Sequence, residues 1–120
     1  MPHLTLEYSG NLADLDVGRY LVELNRTLVA SGEFEEIDIK SRALRFDHFV
    51  IGTAPEQRGF IHAKVAILQG RSPEVRRALS GRLLERLQQL CHGASGHQIQ
   101  LCVEILEIER DSYAKSIAGG

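Results

Sequence analysis

Ile61-His62-Ala63-Lys64-Val65-Ala66-Ile67-Leu68, continuing as Gln69-Gly70-Arg71-Ser72-Pro73-Glu74, decides how this chain is read. The first eight residues put Ala63, Val65 and Ile67 on one face, the two-residue period of a half-buried strand. Gly70 interrupts that period, and the signals of a helix start follow. Ser72 suits the N-cap, Pro73 the first helical position, and Glu74 the positive end of the helix dipole. Val75, Leu79, Leu83, Leu87 and Leu90 then recur at helical spacing, and Gly93 can end the helix. From Gln98 to Ile108 the period returns to two, with Ile99, Leu101, Val103 and Ile105 alternating against Gln98, Gln100, Cys102 and Glu104.

The same order runs upstream. Residues 3–8 alternate with Leu4, Leu6 and Tyr8 on one side, and Ser9-Gly10-Asn11 breaks the strand. Leu12 to Ser31 reads as a helix with Val17, Leu21, Leu24 and Leu28 on one face, capped by Asp14 or Asp16 and closed by Gly32. Ile37 to Ala43 alternates again, with extended character through Phe49, and 52–59 is a polar loop. A shift of 59 positions lays Pro2–Tyr8 over Ile61–Ile67, histidine on histidine, and places Leu24 on Leu83 and Leu28 on Leu87. The later strands need about three residues more. The expectation is an α/β fold, a tandem βαβ two-layer sandwich with a four-stranded sheet and two helices on one face. The halves fall at about 2–45 and 61–108 of one domain spanning 1–120, each with a right-handed crossover. Residues 111–120 read as a loosely ordered tail or an intersubunit arm. Leu44 and Phe46 fall out of phase with Ile37 and Ile39, so both sheet faces carry apolar residues. Burial of both faces predicts an oligomer.

Bulk properties narrow the function. The 120 residues carry 14 basic and 16 acidic side chains, a formal charge of −2 that argues against a general nucleic-acid binder. No apolar run reaches the ~18 residues of a membrane span, and the N-terminus has no signal-peptide pattern, so a cytoplasmic protein is expected. Cys91 and Cys102 are the only cysteines and are expected to stay reduced.

The sequence has no G-x-S-x-G, no Walker loop, no G-x-G-x-x-G and no metal-ligand pair at helical spacing. His92 and His97 read as solvated polar side chains rather than metal ligands. Asp47 and His48, adjacent in extended chain, face opposite ways. Two features remain. Pro2 follows the initiator methionine, which is normally trimmed before a small residue, so a mature chain would begin with a secondary amine on a rigid ring. An α-amino group has a reference pKa of ~7.7–8, and burial or nearby cations lower it further, which makes a neutral-pH general base. The second feature is a set of cations near strand ends. Lys40 and Arg42 project from one face of their strand, and Arg71 sits at a strand-to-helix junction where an anion is favoured. Arg76, Arg77, Arg82 and Arg86 are assigned to the outer face of the second helix.

Met1-Pro2-His3, Asn25-x-Thr27-Leu28 followed by Gly32-x-Phe34, Ile39-Lys40-Ser41-Arg42, Phe60-Ile61-His62 and Gly70-Arg71-Ser72 together resemble the 5-carboxymethyl-2-hydroxymuconate isomerase family of the tautomerase superfamily. The resemblance spans residues 1 to about 108 and lies in the order and spacing of these motifs. It implies a homotrimer with its sheets facing inward, acting in bacterial homoprotocatechuate breakdown on a small carboxylated enol or keto substrate. By the resemblance Pro2 is the acid/base that moves a proton between positions of the dienol. Arg71 and Arg42, with Lys40 in support, hold substrate carboxylates and stabilise the dienolate. No cofactor, metal, nucleic acid or membrane is implied. The family often has arginine where this chain has Lys40, so a point cation replaces a planar fork there. Two other readings stay open: another tautomerase activity on a 2-hydroxydienoate or keto–enol acid, and a non-catalytic ligand-binding domain.

Overall fold

The computed structural model describes residues 1–54, 57–92, 96 and 98–120. Strand β1 (His3–Ser9) leads to helix α1 (Val17–Ala30) and strand β2 (Lys40–Phe46). Strand β3 (Arg58–Leu68), helix α2 (Pro73–Leu90) and strand β4 (Gln98–Ile108) repeat the order. The sheet runs β2-β1-β3-β4. β1 and β2 are parallel, as are β3 and β4, while the central β1–β3 pair is antiparallel. His3 pairs with Lys40 and His62 with Cys102, so the second parallel pair is offset three residues further than the first, as the shift between halves requires.

Both helices cover one face. Leu4 and Leu6 of β1 and Ile61, Ala63, Val65 and Ile67 of β3 are buried against Tyr20, Leu24 and Leu28 of α1 and Leu79, Leu83 and Leu87 of α2. Helix α2 starts as its sequence dictates: Ser72 Oγ accepts from the Val75 amide at 3.2 Å, with Pro73 in the first turn. Helix α1 starts later than the apolar spacing suggested. Asp16 is its cap, accepting from the Arg19 amide, and residues 12–16 form turns that bury Leu12. Gly32 follows Ser31 at φ +78°, a conformation glycine adopts without strain. Gly93 and His97 lie outside the described residues.

Three expectations need correction. Ile37 does not begin β2. Residues 36–38 form a single 3₁₀ turn that leaves Ile37 83% exposed, and only Ile39 turns into the core. The extended stretch ends at Phe46 rather than Phe49. The tail is not loose along its whole length, because Arg110, Tyr113 and Lys115 bond back onto this chain. Cys91 and Cys102 are both free thiols. Arg76 and Arg86 do more than solvate α2: Arg76 reaches Glu107 at 3.0 Å and Arg86 reaches Glu23 at 3.2 Å, tying the helix to β4 and α1.

The sheet face away from the helices carries His3, Thr5 and Glu7 of β1, with Lys40, Arg42, Leu44 and Phe46 beside them on β2. Lys64–Glu7 (3.2 Å) and His62–Glu104 (2.8 Å) pair across it, while Leu44, Phe46 and Leu106 remain exposed. No helix among the described residues is long and apolar enough to cross a membrane.

Candidate active site

Strand direction gathers the candidate residues at one end of the sheet. β1 and β2 are parallel, so the chain head and Lys40 start side by side. The Lys40 amide donates to the Pro2 carbonyl at 3.1 Å, which extends the ladder to the proline. β3 is antiparallel to β1, and Ala66 stands opposite His3, so the chain leaves β3 through Gln69-Gly70-Arg71 at that same pole. The pole therefore holds Pro2, Lys40, Arg42 and Arg71 because of topology, although they are far apart in sequence.

Their surroundings differ. The Pro2 ring is fully buried. The amine of Met1 donates to the Asp38 carbonyl at 3.1 Å, and its pKa falls below the ordinary 8.0 because burial and the nearby Lys40 ammonium oppose its charge. Arg42 Nη2 lies 2.9 Å from His3 Nδ1, and the far side of that ring, Nε2, is 3.1 Å from the Tyr113 hydroxyl. Burial, Lys40 and Arg42 lower the His3 pKa below 6.5. Asp38 is held ionised by Lys115, whose ammonium is 2.9 Å from its carboxylate.

Arg71 keeps different company. Its Nε donates to Glu33 Oε1 at 2.9 Å and its Nη2 to the Glu33 carbonyl at 2.8 Å, and the guanidinium lies 4.6 Å from the centre of the Phe34 ring. These contacts join the β3–α2 connection to the α1–β2 connection. The structure thus brings Pro2, Lys40 and Arg42 together around His3 and leaves Arg71 at the same pole on a separate pair of partners.

Sequence reasoning missed Tyr113, Lys115 and Asp38. No periodicity points to the first two, because a tail that packs by isolated side chains shows no pattern. Asp38 was absorbed into a strand. The His3 repeat at His62 was visible but was used only to align the halves.

Elsewhere, a cavity of about 300 Å³ lies at the opposite pole, lined in part by Leu12, Tyr20, Leu90 and Ile99 and edged by Arg19 and His92. The Tyr20 hydroxyl meets Cys91 Sγ there at 3.2 Å, and burial with this contact raises the tyrosine pKa. None of the sequence-predicted site residues lines it. Asp47 pairs with Arg45 at 3.0 Å, not with His48. Among the described residues no group of three His, Cys, Asp or Glu side chains is placed to hold a metal ion.

Comparison with known proteins concerns the chain as a whole. A family profile described as 5-carboxymethyl-2-hydroxymuconate isomerase matches residues 2–118. A solved 5-carboxymethyl-2-hydroxymuconate isomerase from Deinococcus radiodurans R1 is 30% identical with a TM-score of 0.89, covering 96% of this chain and 88% of that one. A 5-carboxymethyl-2-hydroxymuconate delta-isomerase, 23% identical, shares the fold with a TM-score of 0.85 over 98% of this chain and 89% of its own. A fused 4-OT described as a symmetric trimer has a TM-score of 0.71 at 16% identity, over 95% and 91% of the two chains. A search of curated proteins gave no match.

Proposed function

The chain belongs to the 5-carboxymethyl-2-hydroxymuconate isomerase family and is an isomerase, and from that premise we propose that it shifts a double bond in 5-carboxymethyl-2-hydroxymuconate by proton transfer at the ring nitrogen of Pro2. The reading places the protein in homoprotocatechuate catabolism in the cytoplasm. Loss of Met1 frees the nitrogen, which accepts the proton of the dienol hydroxyl and delivers it to a carbon, leaving the oxo isomer. The enol oxygen keeps the O–H electron pair in the dienolate and becomes the carbonyl as the double bond shifts and the carbon takes the proton, so the scheme needs no cofactor.

One observation carries this reading: the buried Pro2 ring stands at the head of β1 with its carbonyl bonded to the Lys40 amide, so a nitrogen freed there by loss of Met1 has buried surroundings and a neighbouring cationic residue, both of which disfavour a protonated amine. A ring pinned at its carbonyl by β2 keeps such a nitrogen in one place, which favours reaction by cutting the entropy lost on approach. Lys40 and Arg42, and Arg71 at the same pole, match the carboxylates of the substrate. Arginine and lysine divide these roles differently, because only the guanidinium offers two parallel donors.

The test uses purified protein whose intact mass is measured first. A mass lacking Met1, with faster turnover of 5-carboxymethyl-2-hydroxymuconate than of 2-hydroxymuconate, is expected. Equal or better turnover of the smaller acid would move the protein to another tautomerase activity. A retained Met1 in active protein would rule out the ring nitrogen as base.

The open sheet face supports assembly. Leu44, Phe46 and Leu106 expose apolar surface beside the ion pairs of that face, which a homotrimer with inward-facing sheets would bury. Sedimentation at micromolar concentration should give the trimer mass. A stable monomer there contradicts the arrangement.

A further inference from the structure

The segment that follows β4 does not leave the molecule. At residues 110–112 it makes one 3₁₀ turn, and the Arg110 amide donates to Gln69 Oε1 at 2.9 Å while its Nε donates to the Gln69 carbonyl at 2.7 Å. It then passes the end of β3 and reaches the heads of β1 and β2. Tyr113 meets His3 there, ring edge to ring face with centroids 6.2 Å apart, and Lys115 meets Asp38, whose carbonyl also receives the amine of residue 1. Residues 113 and 115 thus flank the chain head on two sides.

Hydrogen-bond chemistry fixes the sense of the contacts through His3. A guanidinium has donors only. Arg42 Nη2 therefore donates to His3 Nδ1 across 2.9 Å, and that nitrogen must present its lone pair. The ring proton of a neutral histidine then sits on Nε2, 3.1 Å from the Tyr113 oxygen, and donates to it. Burial and the flanking Lys40 and Arg42 charges keep the imidazole in this neutral form at neutral pH. The Tyr113 oxygen is occupied as an acceptor, and its own hydrogen has no further partner among the described residues. The result is a neutral donor oriented from behind by His3, the residue that follows Pro2.

We propose that Tyr113 contacts the substrate, donating its hydroxyl hydrogen to the oxygen on the carbon next to a substrate carboxylate, with His3 as the positioning residue behind it. The assignment rests on the reading of this pole as the isomerase site. Its chemistry separates two tasks. The cations suit oxygens that are charged throughout, the carboxylates. A neutral donor suits an oxygen that gains charge as the proton leaves, because it costs little when that oxygen is neutral and strengthens as charge develops. Tyr113 keeps its proton throughout, and the proton that moves travels through Pro2 alone. The ligand class is a 2-hydroxy or 2-oxo acid with two or more carboxylates.

Two unreactive diacids test this, 2-hydroxyadipate and adipate, with binding measured by calorimetry on the mature protein. The wild type should favour 2-hydroxyadipate about tenfold, the worth of one neutral hydrogen bond. Tyr113→Phe should erase the preference, keep its adipate affinity and turn over 5-carboxymethyl-2-hydroxymuconate about tenfold more slowly. Ring nitrogen chemical shifts should show His3 protonated on Nε2. A wild type without the preference, a Tyr113→Phe protein that keeps it, or a His3 protonated on Nδ1 overturns the assignment. Pro2→Ala separates this outcome from failure of the base: it should lose turnover yet retain the preference for 2-hydroxyadipate.

Discussion

Pro2→Ala should slow turnover of 5-carboxymethyl-2-hydroxymuconate by about 10²–10⁴-fold, the range a positioned general base contributes. An alanine head still offers an amine, but a primary one on a freely rotating bond, without the ring that packs into the fully buried position Pro2 holds. The pH profile identifies the group independently. Only the unprotonated amine accepts a proton, so kcat/KM should rise with pH through an inflection below the ordinary range of an α-amino group, because the buried position of Pro2 and the neighbouring Lys40 disfavour a charge on its nitrogen. Lys40→Met removes a cation that opposes protonation, so the inflection should move up. A Pro2→Ala enzyme within twofold of wild type, or a profile that ignores Lys40, would discard the amine as base.

Arg71→Ala should lower kcat/KM by about 2–3 kcal/mol, the worth of charge-assisted hydrogen bonds to a substrate carboxylate. Its Glu33 contacts use Nε and Nη2, which leaves both hydrogens of Nη1 to meet a ligand. The Arg71–Glu33 pair is partly exposed, at 23% and 34% of the two side chains. Its loss should therefore cost stability no more than about 1 kcal/mol. A drop in thermal midpoint with unaltered kinetics would make Arg71 a strut between two connections and nothing more. Reading the two quantities on the same preparation keeps the alternatives apart.

The elements most legible in the sequence are those whose burial is periodic. Leu79, Leu83 and Leu87 announced the inward face of α2, and Ala63, Val65 and Ile67 that of β3, because each faces a single continuous core. Ser72 was readable for a local reason, since a hydroxyl one position before Pro73 satisfies an amide that no helix can. Tyr20 was passed over in favour of Leu21. The structure buries the tyrosine with Leu24 and Leu28 and leaves the leucine partly exposed. Ile37 misled because alternation cannot distinguish a strand from a 3₁₀ turn leading into one. At the site, Lys40 and Arg42 were placed on one face by strand parity alone. The partners of Arg71, the Arg42–His3–Tyr113 chain and the Lys115–Asp38 pair depend on contacts between residues 38 to 110 positions apart, which no local pattern encodes.

The repeat of the β-α-β unit extends to a detail of charge. Arg42 lies two residues beyond the β2 partner of His3, and Glu104 two residues beyond the β4 partner of His62, so each histidine meets a charged neighbour in the same relative place. The sign is opposite: a guanidinium in the first unit, a carboxylate in the second. A scaffold can be doubled in this way, but a terminus cannot. β3 is entered through peptide-linked Arg58 and Gly59, so the second unit has no end to expose. Tandem repetition therefore doubles the architecture while holding the number of chain heads at one for each polypeptide.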